Sequence, residues 1–216
     1  GGVGEIEWTK GWDKYMFLNS TQEKELLKIL PGVKTKVLPP CTDLTNFFEA
    51  RPKFKEPIHI IRHSSQGDTK FSKDFKEEVD KILSINNDIH ISMMPGPSFI
   101  ESDTRFFKWT RNAIPIYNFL EIGNLFWYSL PLGYMDQGPR VVLEAMAAEL
   151  PILADNWGGV VDRITPECGW LCDKKEQMVE IIKNVTLEEL EKKGKVARER
   201  AIQEFIPERW IQEILC

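Results

Sequence analysis

Basic residues are in the minority in this chain. Its 28 lysines and arginines face 33 aspartates and glutamates, for a formal net charge of −5. A general nucleic-acid binder needs a basic face to neutralise phosphates, so that class is excluded as a whole-protein function, and only a local basic patch stays open. Cysteine is scarce as well: Cys41, Cys168, Cys172 and Cys216 are irregularly placed and read as free thiols in a reducing compartment. The Cys168–Cys172 spacing has no second ligand pair nearby, so it does not read as a zinc site. No apolar run approaches the ~18 residues needed to span a bilayer. The opening Gly1-Gly2-Val3-Gly4-Glu5 is small and polar, unlike a signal peptide. Internal repeats and low-complexity tracts are lacking too. What remains is a chain of 216 residues with 42% hydrophobic and 11% aromatic content, enough for one large or two small globular domains.

Strand-like and helix-like segments alternate along it. Residues 15–18 read as a strand, 21–30 as a helix stopped by Pro31-Gly32, and 35–38 as a strand stopped by Pro39-Pro40. Residues 41–56 have no clean period and are bracketed by prolines, which predicts a linker. The rhythm then becomes regular: strands at 58–62, 88–94, 106–109, 125–129, 152–154 and 169–172, and helices at 71–83, 115–122 and 139–150. A helical turn is predicted at 160–164, helices at 174–184 and 187–204, and a last turn at 210–215. Alternation of this kind implies βαβ units, hence an α/β fold with a Rossmann-like parallel sheet and helices on both faces. In such sheets ligands sit at the carboxyl ends of the strands. The sequons at Asn19 and Asn184 are better explained by helix starts, since Ser20 with Glu23 and Thr186 with Glu189 have capping-box spacing.

Two stretches could carry chemistry at that edge. The first is Asp136-Gln137-Gly138-Pro139-Arg140, running on to Glu144. Gly138-Pro139 can start a helix, because Pro at the first helical position gives up an amide hydrogen that the helix end could not pair. The helix N-terminus then offers free N–H groups and partial positive charge to a phosphate. Glu144 shares a face with Arg140 and Val141, while Val142, Leu143, Met146, Ala147 and Leu150 form the apolar face. The second stretch is the loop from Arg62 to Lys70. Two cations at a strand end can neutralise a diphosphate leaving group, an effect that grows as the bond to it breaks. Solvated surface charge is the plain alternative for the pair. Beyond these, Asp155-Asn156-Trp157-Gly158-Gly159 reads as a βα turn with close backbone approach. His59 and His90 lie in apolar strands and read as structural; His63 is open between a structural role and phosphate contact. Trp109, Trp127, Trp157 and Trp170 read as core or cleft wall, and Lys192, Lys193, Arg198 and Arg200 as a solvated helix face.

Taken together, Gly138-Pro139-Arg140, Leu143-Glu144-Ala145-Met146-Ala147, Leu150-Pro151, Gly158-Gly159 and Gly169-Trp170-Leu171 resemble the C-terminal, donor-binding domain of retaining glycosyltransferases of the GT-B fold, the family 4 type. Arg62-His63-Ser64 with Thr69-Lys70-Phe71 is similar to the Arg…Lys loop after that domain's first strand. Leu38-Pro39 and Cys41-Thr42-Asp43-Leu44, with Phe47, look like the segment joining the two domains. The resemblance covers roughly residues 12–216. It implies that Glu144 accepts hydrogen bonds from ribose hydroxyls, that Arg62 and Lys70 hold the diphosphate, and that Asp136 touches the transferred sugar. Amides near Gly138, Pro139 and Arg140 would complete the anion site, and the base would pack near 106–109. Three positions depart from the family. Asp136 stands where Glu is usual, Glu149 stands where Gly is usual, and the Arg62–Lys70 loop is long. At Glu149 a left-handed backbone would cost on the order of 1 kcal/mol.

The resemblance also implies an organisation: 1–50 as a remnant of an N-terminal domain with the interdomain linker, and 51–216 as the donor domain. The opening Gly1-Gly2-Val3-Gly4 sits in the wrong place for a sugar-binding loop and reads as a linker or cloning remnant. The expected function is transfer of a sugar from a nucleotide diphosphate sugar, with retention and without metal or other cofactor, to an acceptor that is a glycan, a lipid or a protein. The expected catalytic residues are Arg62, Lys70 and Asp136, and the chain would be incomplete without its acceptor domain. The location expected is cytoplasmic, with any membrane contact made peripherally by the missing domain. The alternatives are a non-catalytic nucleotide-sugar-binding module or partner subunit, and, with less support, an epimerase on the same fold.

Overall fold

The computed structural model describes residues 14–64, 67–131 and 133–215. The opening glycines Gly1, Gly2 and Gly4, the loop residues Ser65 and Gln66, and Cys216 lie outside the described residues. The elements run β1 (Tyr15–Phe17), α1 (Ser20–Ile29), β2 (Thr35–Val37), β3 (Ile58–His63), α2 (Phe75–Leu83), β4 (Ile89–Met94), β5 (Phe106–Lys108), α3 (Ile116–Glu121) and β6 (Leu125–Tyr128). After these come α4 (Arg140–Ala147), β7 (Ile152–Asp155), β8 (Gly169–Cys172), α5 (Lys175–Asn184), α6 (Leu187–Glu204) and α7 (Pro207–Leu215). Short 3-10 turns stand at Thr45–Phe47, Asp68–Lys70 and Gly158–Val160.

The apolar strands pair in parallel as one six-stranded sheet in the order β5-β4-β3-β6-β7-β8. The chain enters at β3 in the middle, steps outward through β4 to β5, crosses back to β6, and steps outward the other way. Strand order therefore reverses between β3 and β6, which pair through Ile60–Leu125 and Ile61–Phe126. Side chains alternate across the sheet. Ile58, Ile60, Leu125, Trp127 and Leu153 pack with Phe75, Val79 and Ile82 of α2 and Met178 and Ile182 of α5. Ile61, Phe126, Tyr128, Ile152 and Ala154 pack on the other face with α3, α4 and Ala197 and Ala201 of α6. Apolar surface is thus buried on both faces, as the near-continuous hydrophobic strands require.

The earlier part of the chain forms a second, two-stranded parallel sheet of β1 and β2. Segment 41–56 is not the loose linker its composition predicts. Leu44 and Ala50 are 1% exposed and sit in the α4–α6 core cluster. Arg198 and Arg200, expected on a solvated helix face, also serve packing: Arg198 donates to the Ala147 and Phe48 carbonyls, and Arg200 to those of Arg163 and Asp162. The cap of α1 is Asn19, one residue before the expected Ser20: its side-chain oxygen accepts from the Gln22 amide at 2.9 Å. Thr186 does cap α6, accepting from the Glu189 amide. His59 is structural, with Nε2 2.9 Å from Ser92 Oγ.

Helix α4 ends on a strained residue. Glu149 has φ +66°. The Leu150 amide bonds back to the Ala145 carbonyl and the Glu149 amide to that of Met146, both at 3.0 Å, which is a Schellman closure with Glu in the place that suits Gly. A side chain in that conformation costs on the order of 1 kcal/mol. Glu149→Gly should therefore raise the melting temperature by roughly 2–4 °C, the shift that ~1 kcal/mol produces in a domain of this size; thermal unfolding followed by circular dichroism checks it.

Candidate functional site

The reversal point between β3 and β6 puts two loops opposite each other, 64–74 after β3 and 129–139 after β6. Their helices leave on opposite faces of the sheet, α2 on one and α4 on the other, the topology at which open α/β sheets place a ligand crevice. Alternation along β3 divides its last two residues between the faces. Arg62 points under α2, and His63 points toward α4.

Arg62 does not reach the crevice surface, where a diphosphate contact would need it. It is wholly buried, and its guanidinium donates to the carbonyls of Ser129 at 2.5 Å and Lys70 at 2.8 Å. The guanidinium carbon lies 4.4 Å from the Phe71 ring centroid, with Phe75 and Tyr128 around it. Burial pulls its pKa down to about 10, opposed by Tyr128, Asp155 and Glu78, so it stays charged at neutral pH. The strand's hydrophobic character carries on past the point where a charge was expected to emerge, and both Nη donors are spent on backbone. Arg62 is a brace between the two loops.

Lys70 is brought to the crevice, on the 3-10 turn that follows. Its ammonium donates to Asp136 Oδ2 at 2.8 Å, and Tyr128 Oη donates to the same oxygen at 2.7 Å. The Gly138 amide approaches Asp136 Oδ1 at 3.3 Å. Burial resists ionisation of Asp136, but Lys70, Tyr128 and the Gly138 amide together hold its carboxyl below the ordinary value. The same environment, burial first and then Asp136, pushes the Tyr128 phenol up, so it remains a donor. Tyr128 was missed in the sequence; only the alternation Phe126, Tyr128 signalled its face.

The 136–140 loop is fixed from behind by its neighbours. The Gly159 amide donates to the Asp136 carbonyl at 2.7 Å. Gly158 has φ +70°, and a Cβ there would lie 2.9 Å from that carbonyl oxygen; a Cβ on Gly159 would collide with the Gln137 carbonyl. The paired glycines are thus a close-approach site, as expected, but the backbone they approach is this loop. Arg163, with no sequence signal, is fully buried and donates to the carbonyls of Pro139 at 2.6 Å and Pro40 at 2.9 Å. Asn19 Nδ2 donates to the Gln137 carbonyl at 3.0 Å, and Asp162 accepts from the Ser20 amide at 2.7 Å. The segment before residue 50 is therefore keyed into the candidate site. Pro139 is the N-cap of α4, not its first helical residue as the sequence suggested, and its carbonyl is taken by the Val142 amide as well as Arg163.

One turn into α4, Glu144 lies on the crevice side with its side chain 10% exposed. Arg140 Nε stands 3.1 Å from Oε1, and His63 Nε2 stands 3.2 Å from Oε2. Burial pushes the Glu144 carboxyl up, and Arg140 opposes this. Arg140 itself is open to solvent, its side chain 68% exposed. The structure thus brings the expected residues together as two groups, Lys70 with Asp136 and Arg140 with Glu144, joined by the braced loop.

A cavity of about 720 Å³ lies where α2 and α5 meet the same two loops, which line it through Ser72, Asp74, Leu130, Pro131 and Gly133, and it contains none of these groups. Its walls carry Asp74, Glu77, Glu78, Asp155, Asp173 and Glu176 against Lys81, Lys174 and Lys175. Lys175 is already paired, 2.9 Å from Asp155 and 3.7 Å from Glu78. A wall with this excess of carboxylates repels an anion, so volume alone does not make it a diphosphate site. Among the described residues no cluster of His, Cys, Asp and Glu is arranged to hold a metal ion, and no helix is long and apolar enough to cross a membrane.

No family model matches the chain, and neither does any curated protein sequence. The likeness is structural. Sucrose-phosphate synthase from Thermosynechococcus elongatus superposes with a TM-score of 0.68 at 17% identity, over 95% of this chain and 57% of that one. TarM from S. aureus, solved in a complex containing UDP, gives 0.75 at 15% identity, over 97% and 44%. HepE from Anabaena, solved with UDP-glucose, gives 0.68 at 14% identity, over 94% and 62%. At these identities the likeness carries the fold: a Rossmann-like parallel sheet with helices on both faces, as in GT-B glycosyltransferases. The chain spans 44–62% of the length of these neighbours.

The Lys70–Asp136 tie is testable by itself. Lys70→Met leaves a half-buried carboxylate without its cation and should destabilise the fold by about 3 kcal/mol at pH 7, the low end for breaking a buried pair. A carboxyl held below its usual pKa stabilises above that usual value and loses the contribution as pH falls through the folded value. The deficit of the variant should accordingly shrink below about pH 4. Urea denaturation at pH 7 and pH 3.5 measures both, and an equal deficit at the two pH values would contradict the tie.

Proposed function

We propose that residues 51–216 are the donor-binding domain of a retaining GT-B glycosyltransferase of the family 4 type, with residues 1–50 the end of an N-terminal domain and the linker. The observation that carries this reading is the Lys70–Asp136 pair bridging the crevice at the strand reversal, with Glu144 further along the helix that starts there. Two neighbours supply the ligand class by analogy, since they were solved with UDP or UDP-glucose.

In this reading a nucleotide diphosphate sugar lies along the crevice. Lys70 and the exposed Arg140 face its diphosphate, together with amides at the start of α4. Glu144 accepts the ribose hydroxyls, and Asp136 meets hydroxyls of the sugar. Asp136 is one methylene shorter than the Glu usual there, and it already accepts from Lys70 and Tyr128, so it acts as a positioned acceptor and not as a nucleophile. Without a nucleophilic carboxylate, retention follows from attack on the face the diphosphate leaves. The bond from the anomeric carbon to the phosphate oxygen breaks with its electron pair going to the diphosphate. The acceptor oxygen bonds to the same face, and its proton passes to the departing phosphate oxygen. The reaction as read needs no metal, because cations of the protein take up the charge that develops. The acceptor and the facing wall of the cleft would come from an N-terminal domain, and the protein would act in the cytoplasm.

A second reading is a nucleotide-sugar-binding subunit that does not itself catalyse transfer; on either reading the purified chain should bind a nucleotide sugar. Calorimetry with UDP, UDP-glucose and a panel of other nucleoside diphosphates should find a ligand. Glu144→Ala, which removes a charged hydrogen-bond acceptor worth about 1.5–3 kcal/mol, should weaken that ligand roughly tenfold to hundredfold while the circular dichroism spectrum is kept. Unchanged affinity would remove the ribose role from Glu144.

A further inference from the structure

His63 is the last residue of β3 and has no place in the site as read so far. It is 3% exposed, and its ring meets the Phe126 ring edge-on, with centroids 5.6 Å apart. Its Nε2 is buried and has no hydrogen-bond partner in the present geometry, yet it stands 3.2 Å from Glu144 Oε2. Buried polar atoms of this kind are few in native structures, and each calls for an explanation. Here the nearest polar atom belongs to the acid read as the ribose acceptor.

We propose that His63 is a positioning residue for Glu144, holding one carboxylate oxygen so that the remaining acceptor sites of the acid face a vicinal diol on the ligand. The inference rests on the reading of Glu144 as the ribose acceptor. An ionised carboxylate offers about four lone-pair sites. Arg140 stands against Oε1, and an N–H turned from His63 Nε2 onto Oε2 would take one more site, which leaves about two, the number that the 2′- and 3′-hydroxyls of a ribose need. A neutral imidazole suits this task better than a second cation. It donates one N–H without neutralising the acid, and it is held neutral because burial, with Arg140 and Arg62 nearby, pushes it down to about 3. The acid itself is pushed toward protonation by burial, and a protonated carboxyl is a poorer acceptor; a donor on Oε2 favours the charged form. Beside it, Phe126 packs edge-on against the ring, and Arg140 pairs with the opposite oxygen.

The experiment compares UDP, 2′,3′-dideoxy-UDP and inorganic pyrophosphate by calorimetry on the full chain, for wild type, His63→Leu and His63→Asn. Wild type should prefer UDP to the dideoxy form. In His63→Leu that preference should fall about tenfold, with affinities for dideoxy-UDP and pyrophosphate unchanged. His63→Asn keeps an N–H donor and should retain part of the preference, and it serves in place of the leucine variant if that one does not fold. A full preference in His63→Leu would overturn the proposal, as would a loss shared equally by pyrophosphate, which marks general disruption of the site. If wild type binds UDP but does not distinguish it from the dideoxy form, the ribose role of Glu144 fails and takes the proposal with it. If Glu144→Ala loses the preference while His63→Leu keeps it, the ribose role stands and the proposal alone fails.

Discussion

Everything at the crevice depends on backbone carbonyls held by buried arginines. Arg62 ties the carbonyl of Lys70 to that of Ser129, and Arg163 ties the carbonyl of Pro139 to that of Pro40. Burying a guanidinium is costly, and in both cases burial pulls the pKa down to about 10. The cost is offset because each places two good donors on loop carbonyls. Three loops that belong to distant parts of the sequence are thereby fixed with respect to each other. Lys70 and Asp136 can then meet without further adjustment.

That arrangement also decides where negative charge can be accommodated. On the α2–α5 side, carboxylates outnumber lysines around a spacious cavity, and Lys175 is consumed by Asp155 and Glu78. At the reversal point the balance differs: Lys70 sits with one acid, Arg140 faces solvent beside Glu144, and the start of α4 adds its amides. Charge and not volume makes the second place the better one for a diphosphate. In the reading proposed above the acids there accept from ligand hydroxyls, and their own partners, Tyr128, the Gly138 amide and Arg140, keep them oriented.

The part of the chain before residue 50 is bound into this arrangement and does not merely precede it. Asn19 caps α1 with one end of its amide and holds the Gln137 carbonyl with the other. Leu44 and Ala50 lie under α4 and α6. A movement of the early segment would thus be felt at the 136–140 loop.

Much of this was legible in the residues themselves. Near-continuous apolar strands separated by helical periods determine a parallel sheet covered on both faces, and ligand sites at strand ends follow from that topology. Glu144 and Arg140 were placed on one helix face by spacing alone, and the resemblance pointed to Glu149 as a place where Gly is usual, which has φ +66° in the structure. Spacing could not say which way a strand-end side chain turns. Arg62 and His63 are neighbours in sequence, yet the pleat sends one under α2 and the other against α4, where burial changes what each can do. Nor could it reveal Tyr128, Arg163 or Asn19 at the site, because their partners lie 8, 123 and 118 residues away. Local sequence determined the elements and their faces; the tertiary structure decided which charges stay free for a ligand, because that depends on which carbonyls and carboxylates the fold brings within hydrogen-bond reach.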